Sequence, residues 1–156
     1  MRLFVTGATG FIGAYFVNAA HNAGHEVIAL RRPGGQPRIK LNKEPIWVEG
    51  LLDGNFSEIL KKCDILVHFA SHTANPPYGS LEECLYWNLT ATLQLFNQAL
   101  RSGVNQFLVA GSCFEYGKSG ERYDFIPADA SLEPTTSYST SKASASIALN
   151  GWAIEK

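Results

Sequence analysis

"RLFVTGATGFIG", residues 2–13, joins a short apolar run to three glycines, Gly7, Gly10 and Gly13. The run 2–6 predicts a buried β-strand, and the glycines fall where that strand would turn into a helix. In such a turn the first glycine allows the tight bend, the second lets a pyrophosphate approach the backbone, and the third lets the helix pack closely. The stretch therefore predicts a dinucleotide-binding βα unit, and a ligand-free tight turn is the alternative.

The rest of the chain repeats this alternation of short apolar strands and helix-period segments. A parallel sheet covered by helices follows from the alternation, and right-handed crossovers give a Rossmann-like doubly wound α/β sheet in the order 3-2-1-4-5. We predict one such domain over residues 1–156. The predicted strands are 2–6, 25–30, 45–50, 64–71 and 105–112, and the predicted helices are 11–24, 56–63, 81–103 and one that begins near Ser137. In the first helix the spacing puts Phe11, Tyr15, Ala19 and Ala23 on one face.

Composition excludes several classes of protein. With 46% hydrophobic and 17% charged residues the chain is typical of a globular domain, and its net charge of −1 gives no reason to expect nucleic acid or an anionic membrane as partner. No apolar run is long enough to span a membrane or to form a signal peptide. Cys63, Cys84 and Cys113 lack metal-type spacing, so we expect reduced thiols, no metal and a cytoplasmic location.

The end of the second predicted strand bears on the choice of dinucleotide. A carboxylate there binds the ribose 2′-hydroxyl of NAD, whereas an arginine accommodates the 2′-phosphate of NADP. This strand runs into Arg31 and Arg32, and no acid occurs between Glu26 and Glu44. We therefore predict NADP as the cofactor, with NAD as the alternative, although the arginines also fit a solvated basic loop.

A second group of polar residues lies in the last third of the chain. Tyr138 and Lys142 are four residues apart, so a helix would place the phenol and the ammonium on one face. Ser112 ends a predicted central strand, where open α/β sheets bind ligands. The three residues indicate a proton-transfer centre.

These motifs carry a resemblance to a known family. The spacing Gly-x-x-Gly-x-x-Gly resembles that of the short-chain dehydrogenase/reductase superfamily, and "GATGFIG" (7–13) resembles its extended branch, the NAD(P)-dependent epimerase/dehydratase family that acts on nucleotide sugars. The further motifs of that family are matched, in order, by "VHFAS" (67–71), "NLTAT" (88–92), "GSCFEYG" (111–117) and Tyr138-x-x-x-Lys142.

The resemblance implies roles for these residues. Ser112 would hydrogen-bond the reacting oxygen, Tyr138 would transfer the proton, and Lys142 would favour the phenolate and bind the nicotinamide ribose. Asn88 would support the lysine region, and His68 is predicted to be a packed, hydrogen-bonded histidine. The predicted cofactor-binding residues are Gly7, Thr9, Gly10, Phe11, Ile12, Gly13, Arg31, Arg32, Leu52, Asp53, Phe69, Ala70, Ser71, Asn88, Tyr138 and Lys142. Leu52 and Asp53 are included because Leu51 occupies the position at which relatives have an aspartate near the adenine, so one of the two residues that follow it would make that contact.

Residues that are missing from the pattern narrow the chemistry. Sugar dehydratases of the family follow the serine with an acid/base pair, where this chain has Cys113 and Phe114. Relatives that epimerise at C3 or C5 use a cysteine at the position of Phe114. Simple hydride chemistry remains, and the resemblance implies an NADPH-dependent 4-keto-sugar reductase, with a nucleotide-sugar 4-epimerase as the alternative.

Members of the family are typically much longer than this chain. They continue past the Tyr-x-x-x-Lys helix into a smaller domain that binds the nucleotide sugar, and we expect that domain to be absent from these residues. A catalytically incompetent dinucleotide-binding fragment or interaction module is therefore a further alternative. The full-length form is expected to be able to form a homodimer.

Overall fold

A computed structural model describes residues 1–156, and its β-strands form a five-stranded parallel sheet in the order β3-β2-β1-β4-β5. The predicted Rossmann-like fold is thereby confirmed. The strands are β1 (Arg2–Thr6), β2 (Glu26–Arg31), β3 (Ile46–Glu49), β4 (Ile65–His68) and β5 (Gln106–Val109). The α-helices are α1 (Phe11–Asn22), α2 (Ser57–Leu60), α3 (Leu81–Leu85), α4 (Ala91–Arg101) and α5 (Ser137–Ile154).

The chain divides into two compact units. Unit 1 comprises Met1–Ala70 and Gln94–Ala110, and it contains the whole sheet. Unit 2 comprises Ser71–Leu93 and Gly111–Lys156, and it contains α3 and α5.

Both faces of the sheet in unit 1 are apolar, as a buried parallel sheet requires. On one face Leu3, Val5 and Val27 form a core with Ala14 and Val17 of α1. On the other face the ring of Phe4 lies 5.7 Å from that of Phe56, and Phe96 of α4 stacks on Phe107 at 5.0 Å. The alternation of these residues along β1 follows the two-residue period of a strand.

The four residues that the spacing places on one face lie on the exposed side of α1. Phe11 and Tyr15 are exposed and contact each other edge to face, and Ala19 and Ala23 are exposed as well. The buried residues of α1 are small, as a close helix–strand approach requires, and the one ring of α1 that packs against the same core, Phe16, is only partly buried. The buried residues are Gly13, Ala14, Val17 and Ala20.

In unit 2 the predicted long helix is interrupted by a widened turn. Residues Tyr86–Thr90 form a π-helix between α3 and α4, and Asn88 at its centre is buried. Such π segments are frequent at functional sites.

Three helices of unit 2 begin with reciprocal capping boxes, which satisfy free N–H groups at each start. The pairs are Ser80 with Glu83, Ser112 with Glu115, and Thr136 with Ser139.

The segment between Gly117 and Thr136 is a loop with one short 3₁₀-helix (Lys118–Arg122). An ion pair from Arg122 to Glu133, with two hydrogen bonds of 3.0 and 2.6 Å, closes it. No helix of the chain is long and apolar enough to cross a bilayer, and no three His, Cys, Asp or Glu side chains are grouped to hold a metal ion.

Candidate functional site

The glycine turn in unit 1 has the geometry of a phosphate cradle. Gly7 has a φ of +70°, and a Cβ there would lie 2.5 Å from the backbone nitrogen of Ala70. A Cβ at Gly13 would lie 2.2 Å from the carbonyl oxygen of Gly7. Helix α1 starts after Gly10 with no side-chain cap and no acid in its first turn, which leaves free N–H groups and a positive dipole end. The residues present therefore fit the pyrophosphate of a dinucleotide.

The end of β2 carries an ion pair that the sequence reading did not foresee. The guanidinium of Arg31 lies 2.9 Å from the Glu49 carboxylate and 5.1 Å above the Trp47 ring centroid. Glu49 reaches Arg31 because the strand register pairs these two residues across β2 and β3. Arg32, the next residue, is exposed. The basic loop also touches the glycine turn, since the Arg38 backbone N–H donates to the Thr9 carbonyl at 3.0 Å.

His68 is a packed histidine, as predicted. It is buried, its Nδ1 lies 2.8 Å from the Thr6 hydroxyl, and its ring contacts Phe96 edge to face. The Thr6 hydroxyl also accepts the Ala70 N–H at 3.3 Å. These bonds fix the backbone that follows β4, which contains the predicted cofactor-wall residues Phe69 and Ala70.

In unit 2, Tyr138 and Lys142 are both buried on α5, each with 7% of its surface exposed. The turn between them is fixed by Ser141, which donates to the Tyr138 carbonyl at 2.7 Å. Ser141 in turn accepts a 2.9 Å hydrogen bond from the Asn88 amide. The same amide accepts the His72 backbone N–H at 2.7 Å. Asn88 is thus hydrogen-bonded to the residue that precedes Lys142, and its predicted supporting role and cofactor contact stay predictions.

Ser112 is held by a carboxylate three residues further on. Glu115 is buried, and its Oε1 accepts the Ser112 backbone N–H at 2.8 Å. The Ser112 hydroxyl oxygen accepts the Phe114 N–H at 3.3 Å, so its own proton is available to donate elsewhere. That is the proton a hydroxyl needs in order to hydrogen-bond a substrate oxygen.

The charge of Lys142 is controlled by two opposing effects. Burial lowers the pKa of Lys142, and the nearby Glu115 carboxylate partly restores it by favouring the ammonium form. Glu115 therefore links Ser112 and Lys142, the first through a hydrogen bond and the second through charge.

We predict that Glu115→Gln lowers the pKa of Lys142 further. The glutamine keeps an oxygen for the Ser112 N–H but removes the charge that favours the ammonium form. A pH titration of the lysine ¹³Cε resonances measures the effect, with Lys142→Arg to assign the signal. Glu133→Gln removes the same charge from the exposed pair with Arg122 and should leave the Lys142 titration unchanged. An unshifted Lys142 titration in Glu115→Gln would contradict the electrostatic role.

Two aromatic side chains flank the Tyr138 ring. Tyr78 stacks on it at a centroid distance of 5.8 Å and an angle of 10°, and Phe114 meets it edge-on at 6.5 Å. The loop that carries Tyr78 is tied to α5 because the Ser137 hydroxyl donates to the Gly79 carbonyl at 2.8 Å. The phenol of Tyr138 is therefore held in one orientation by packing.

The predicted site residues fall into two groups, one in each unit. Those of unit 1 are Gly7, Thr9, Gly10, Phe11, Ile12, Gly13, Arg31, Arg32, Leu52, Asp53, Phe69 and Ala70. Leu52 and Asp53 lie in the turn after β3, which a bond from the Gly54 N–H to the Leu51 carbonyl closes. Those of unit 2 are Ser71, Asn88, Ser112, Tyr138 and Lys142.

The sequence reading missed Glu115, Ser141, Tyr78 and Glu49. Glu115 had a signal, because Ser-x-x-Glu is the capping-box pattern. Glu49 had none in the linear sequence, since its partner Arg31 is reached only through the strand register. All three cysteines are free thiols, and burial raises the pKa of Cys63 to about 11.

The sheet order and the glycine turn define a Rossmann-like α/β protein. The chain belongs to the NAD-dependent epimerase/dehydratase family, whose family model matches residues 3–155. It is similar to a putative dihydroflavonol 4-reductase of Synechocystis, with 32% identity over 76% of this chain and 34% of that protein. A UDP-glucose 4-epimerase of Neisseria meningitidis is 29% identical over 90% of this chain and 45% of its own length.

Solved structures of similar proteins share the fold of this chain. TunA, an NAD-dependent NDP-hexosamine 5,6-dehydratase, is 25% identical with a TM-score of 0.84 and matches 97% of this chain and 49% of its own. MoeE5 in complex with UDP-glucose and NAD is 28% identical with a TM-score of 0.77, over 94% of this chain and 47% of its own. The chain spans less than half the length of these relatives.

Proposed function

We propose that this protein is an NADPH-dependent reductase of a 4-keto nucleotide sugar. The observation that carries the proposal is the buried Tyr138–Lys142 pair on α5, whose turn is fixed by Ser141 and Asn88. Membership of the family and its similarity to nucleotide-sugar enzymes support the choice of substrate class.

The chemistry assigned to the side chains is proton transfer to a carbonyl oxygen. Ser112 donates a hydrogen bond to that oxygen and stabilises the charge that develops on it. Tyr138 gives the oxygen its proton, and Lys142 favours the resulting phenolate through its positive charge. The bound nicotinamide supplies the hydride.

The glycine turn of unit 1 is proposed to hold the dinucleotide. Its free N–H groups suit the pyrophosphate, and Arg31 and Arg32 supply positive charge for a 2′-phosphate. NADPH fits net reduction, because a reductase releases its oxidised cofactor whereas an epimerase recycles it.

The proposal predicts a large effect of Tyr138→Phe on turnover. Oxidation of NADPH with a panel of 4-keto nucleotide sugars is followed at saturating cofactor, and the variant should be slower by about 10²- to 10⁴-fold because the proton donor is lost. Tyr123→Phe removes an exposed hydroxyl from the same unit and should leave turnover unchanged. Equal turnover of wild type and Tyr138→Phe would refute the assigned role.

Two alternatives to reduction would each give a different result. The similarity to UDP-glucose 4-epimerases supports 4-epimerisation, which would appear as conversion of UDP-glucose without net oxidation of cofactor. The other alternative is a chain that binds dinucleotide without turnover. Saturable binding without reaction on any of these sugars would favour the latter.

A further inference from the structure

We propose that Glu49 tunes the choice between NADPH and NADH by controlling Arg31. The inference rests on the proposed binding of a dinucleotide at the glycine turn, and it deepens that proposal by naming a second residue of the ribose end. Arg31 supplies the positive charge that a 2′-phosphate needs, and Glu49 supplies the acceptor that a ribose hydroxyl needs.

The sheet topology places the Arg31–Glu49 ion pair near the glycine turn. Strand β2 lies next to β1, so the end of β2 neighbours the glycine turn that follows β1. The bond from the Arg38 N–H to the Thr9 carbonyl ties the loop after β2 to that turn. In Rossmann units this strand end meets the adenosine ribose. The acid usually comes from β2 itself, whereas here it comes from β3.

The contacts of Arg31 restrain it on the sheet. Glu49 holds one end of the guanidinium at 2.9 Å, and the Trp47 ring lies beneath it at 5.1 Å. Register explains the arrangement, since Ala29 pairs with Trp47 and Arg31 with Glu49, which puts all four side chains on one face. The Trp47 ring is itself anchored by a bond from its Nε1 to the Glu44 carboxylate at 2.6 Å.

Access to the pair is unequal. The Arg31 side chain is 23% exposed, whereas that of Glu49 is 49% exposed. A ligand that reaches this edge therefore meets the carboxylate more readily than the guanidinium. A ribose hydroxyl can donate to Glu49 while the ion pair stays intact. A 2′-phosphate must compete with the carboxylate for Arg31 and is repelled by it.

The consequence is a protein that accepts both dinucleotides. Arg31 and the exposed Arg32 favour NADPH, and Glu49 reduces that preference by neutralising Arg31 and by receiving the ribose of NADH. Removal of the Glu49 carboxylate alone should raise the affinity for NADPH and lower the affinity for NADH. The guanidinium of Arg31 would remain over Trp47, with its hydrogen-bond donors free to bind a phosphate.

The test is an equilibrium titration of the 156-residue chain with NADPH and with NADH, followed by the fluorescence of the reduced nicotinamide. Glu49→Gln is expected to tighten NADPH and to weaken NADH, each by about five- to tenfold. Arg31→Leu is expected to weaken the binding of NADPH. Melting temperatures close to that of the wild type would show that both variants are folded.

Glu26→Gln is the matched control. Glu26 forms the same kind of ion pair with Arg2, also at 2.9 Å, and it lies at the opposite end of β2 from Arg31. It removes the same charge and should change neither affinity. If the wild type binds dinucleotide but Glu49→Gln leaves the NADPH-to-NADH ratio unchanged, the role of Glu49 is refuted and the proposed function survives. If the wild type binds neither dinucleotide, both proposals are refuted.

Discussion

Gly7→Ala is expected to abolish saturable dinucleotide binding and to lower the free energy of unfolding by about 2–5 kcal/mol. Two costs add at this position. The φ of +70° disfavours any residue with a Cβ, and the new Cβ would lie 2.5 Å from the backbone of Phe69 and Ala70. Neither backbone atom can move aside without shifting the end of β4. Urea unfolding and the cofactor titration measure the two effects.

Gly34→Ala separates these costs. Gly34 has almost the same φ, +73°, but a Cβ there would meet nothing within 4 Å. The variant should therefore lose only the conformational term, about 1–2 kcal/mol. Equal destabilisation by Gly7→Ala and Gly34→Ala would show that the close approach of the glycine turn to β4 contributes nothing.

The second large effect is expected for Asn88→Ala, which should destabilise the fold by about 2–4 kcal/mol. The substitution leaves the His72 N–H without its acceptor and removes the donor to Ser141 at a buried position. Because Ser141 lies between Tyr138 and Lys142, turnover should fall as well, even though Asn88 itself is placed in a supporting role. Urea unfolding and steady-state kinetics measure the two results.

Asn18→Ala provides the comparison for a surface amide. The Asn18 side chain also bridges two backbone groups, since it accepts the Asn42 N–H at 2.8 Å and donates to the Lys40 carbonyl at 3.2 Å. Water can replace both bonds there, so the cost should stay below about 1 kcal/mol. A loss as large as that of Asn88→Ala would mean that burial is not the reason for the Asn88 effect.

The fold could be predicted because its signals are local and periodic. The apolar strands and the glycine spacing each follow from neighbouring residues, and one handedness rule converts their order into 3-2-1-4-5. The spacing in α1 groups Phe11 and Tyr15 on one face but does not indicate that this face is the exposed one. The helix buries Ala14 and Val17 rather than Phe11 and Tyr15, because closeness to the sheet, rather than hydrophobicity, selects the buried side.

The candidate site could be predicted only where its residues belong to short sequence motifs. Ser112 lies in the motif "GSCFEYG" (111–117), and Tyr138 and Lys142 are four residues apart, so each could be picked out from its neighbours in the chain. Their roles stay predictions. The partners that hold them come from elsewhere. Asn88 reaches Ser141 across 53 positions, and Arg31 meets Glu49 only once two strands are aligned. Long-range pairing of this kind leaves no period in the chain for a reader of the sequence to find.

The register of β3 has a consequence for how cofactor preference can change over time. Glu49 lies opposite Arg31 because β2 and β3 are aligned residue for residue. A single-residue insertion in the loop between these strands that slipped β3 by one position would turn Glu49 to the opposite face of the sheet. If Glu49 has the role proposed above, such a slip would take its carboxylate away from Arg31 without changing either residue.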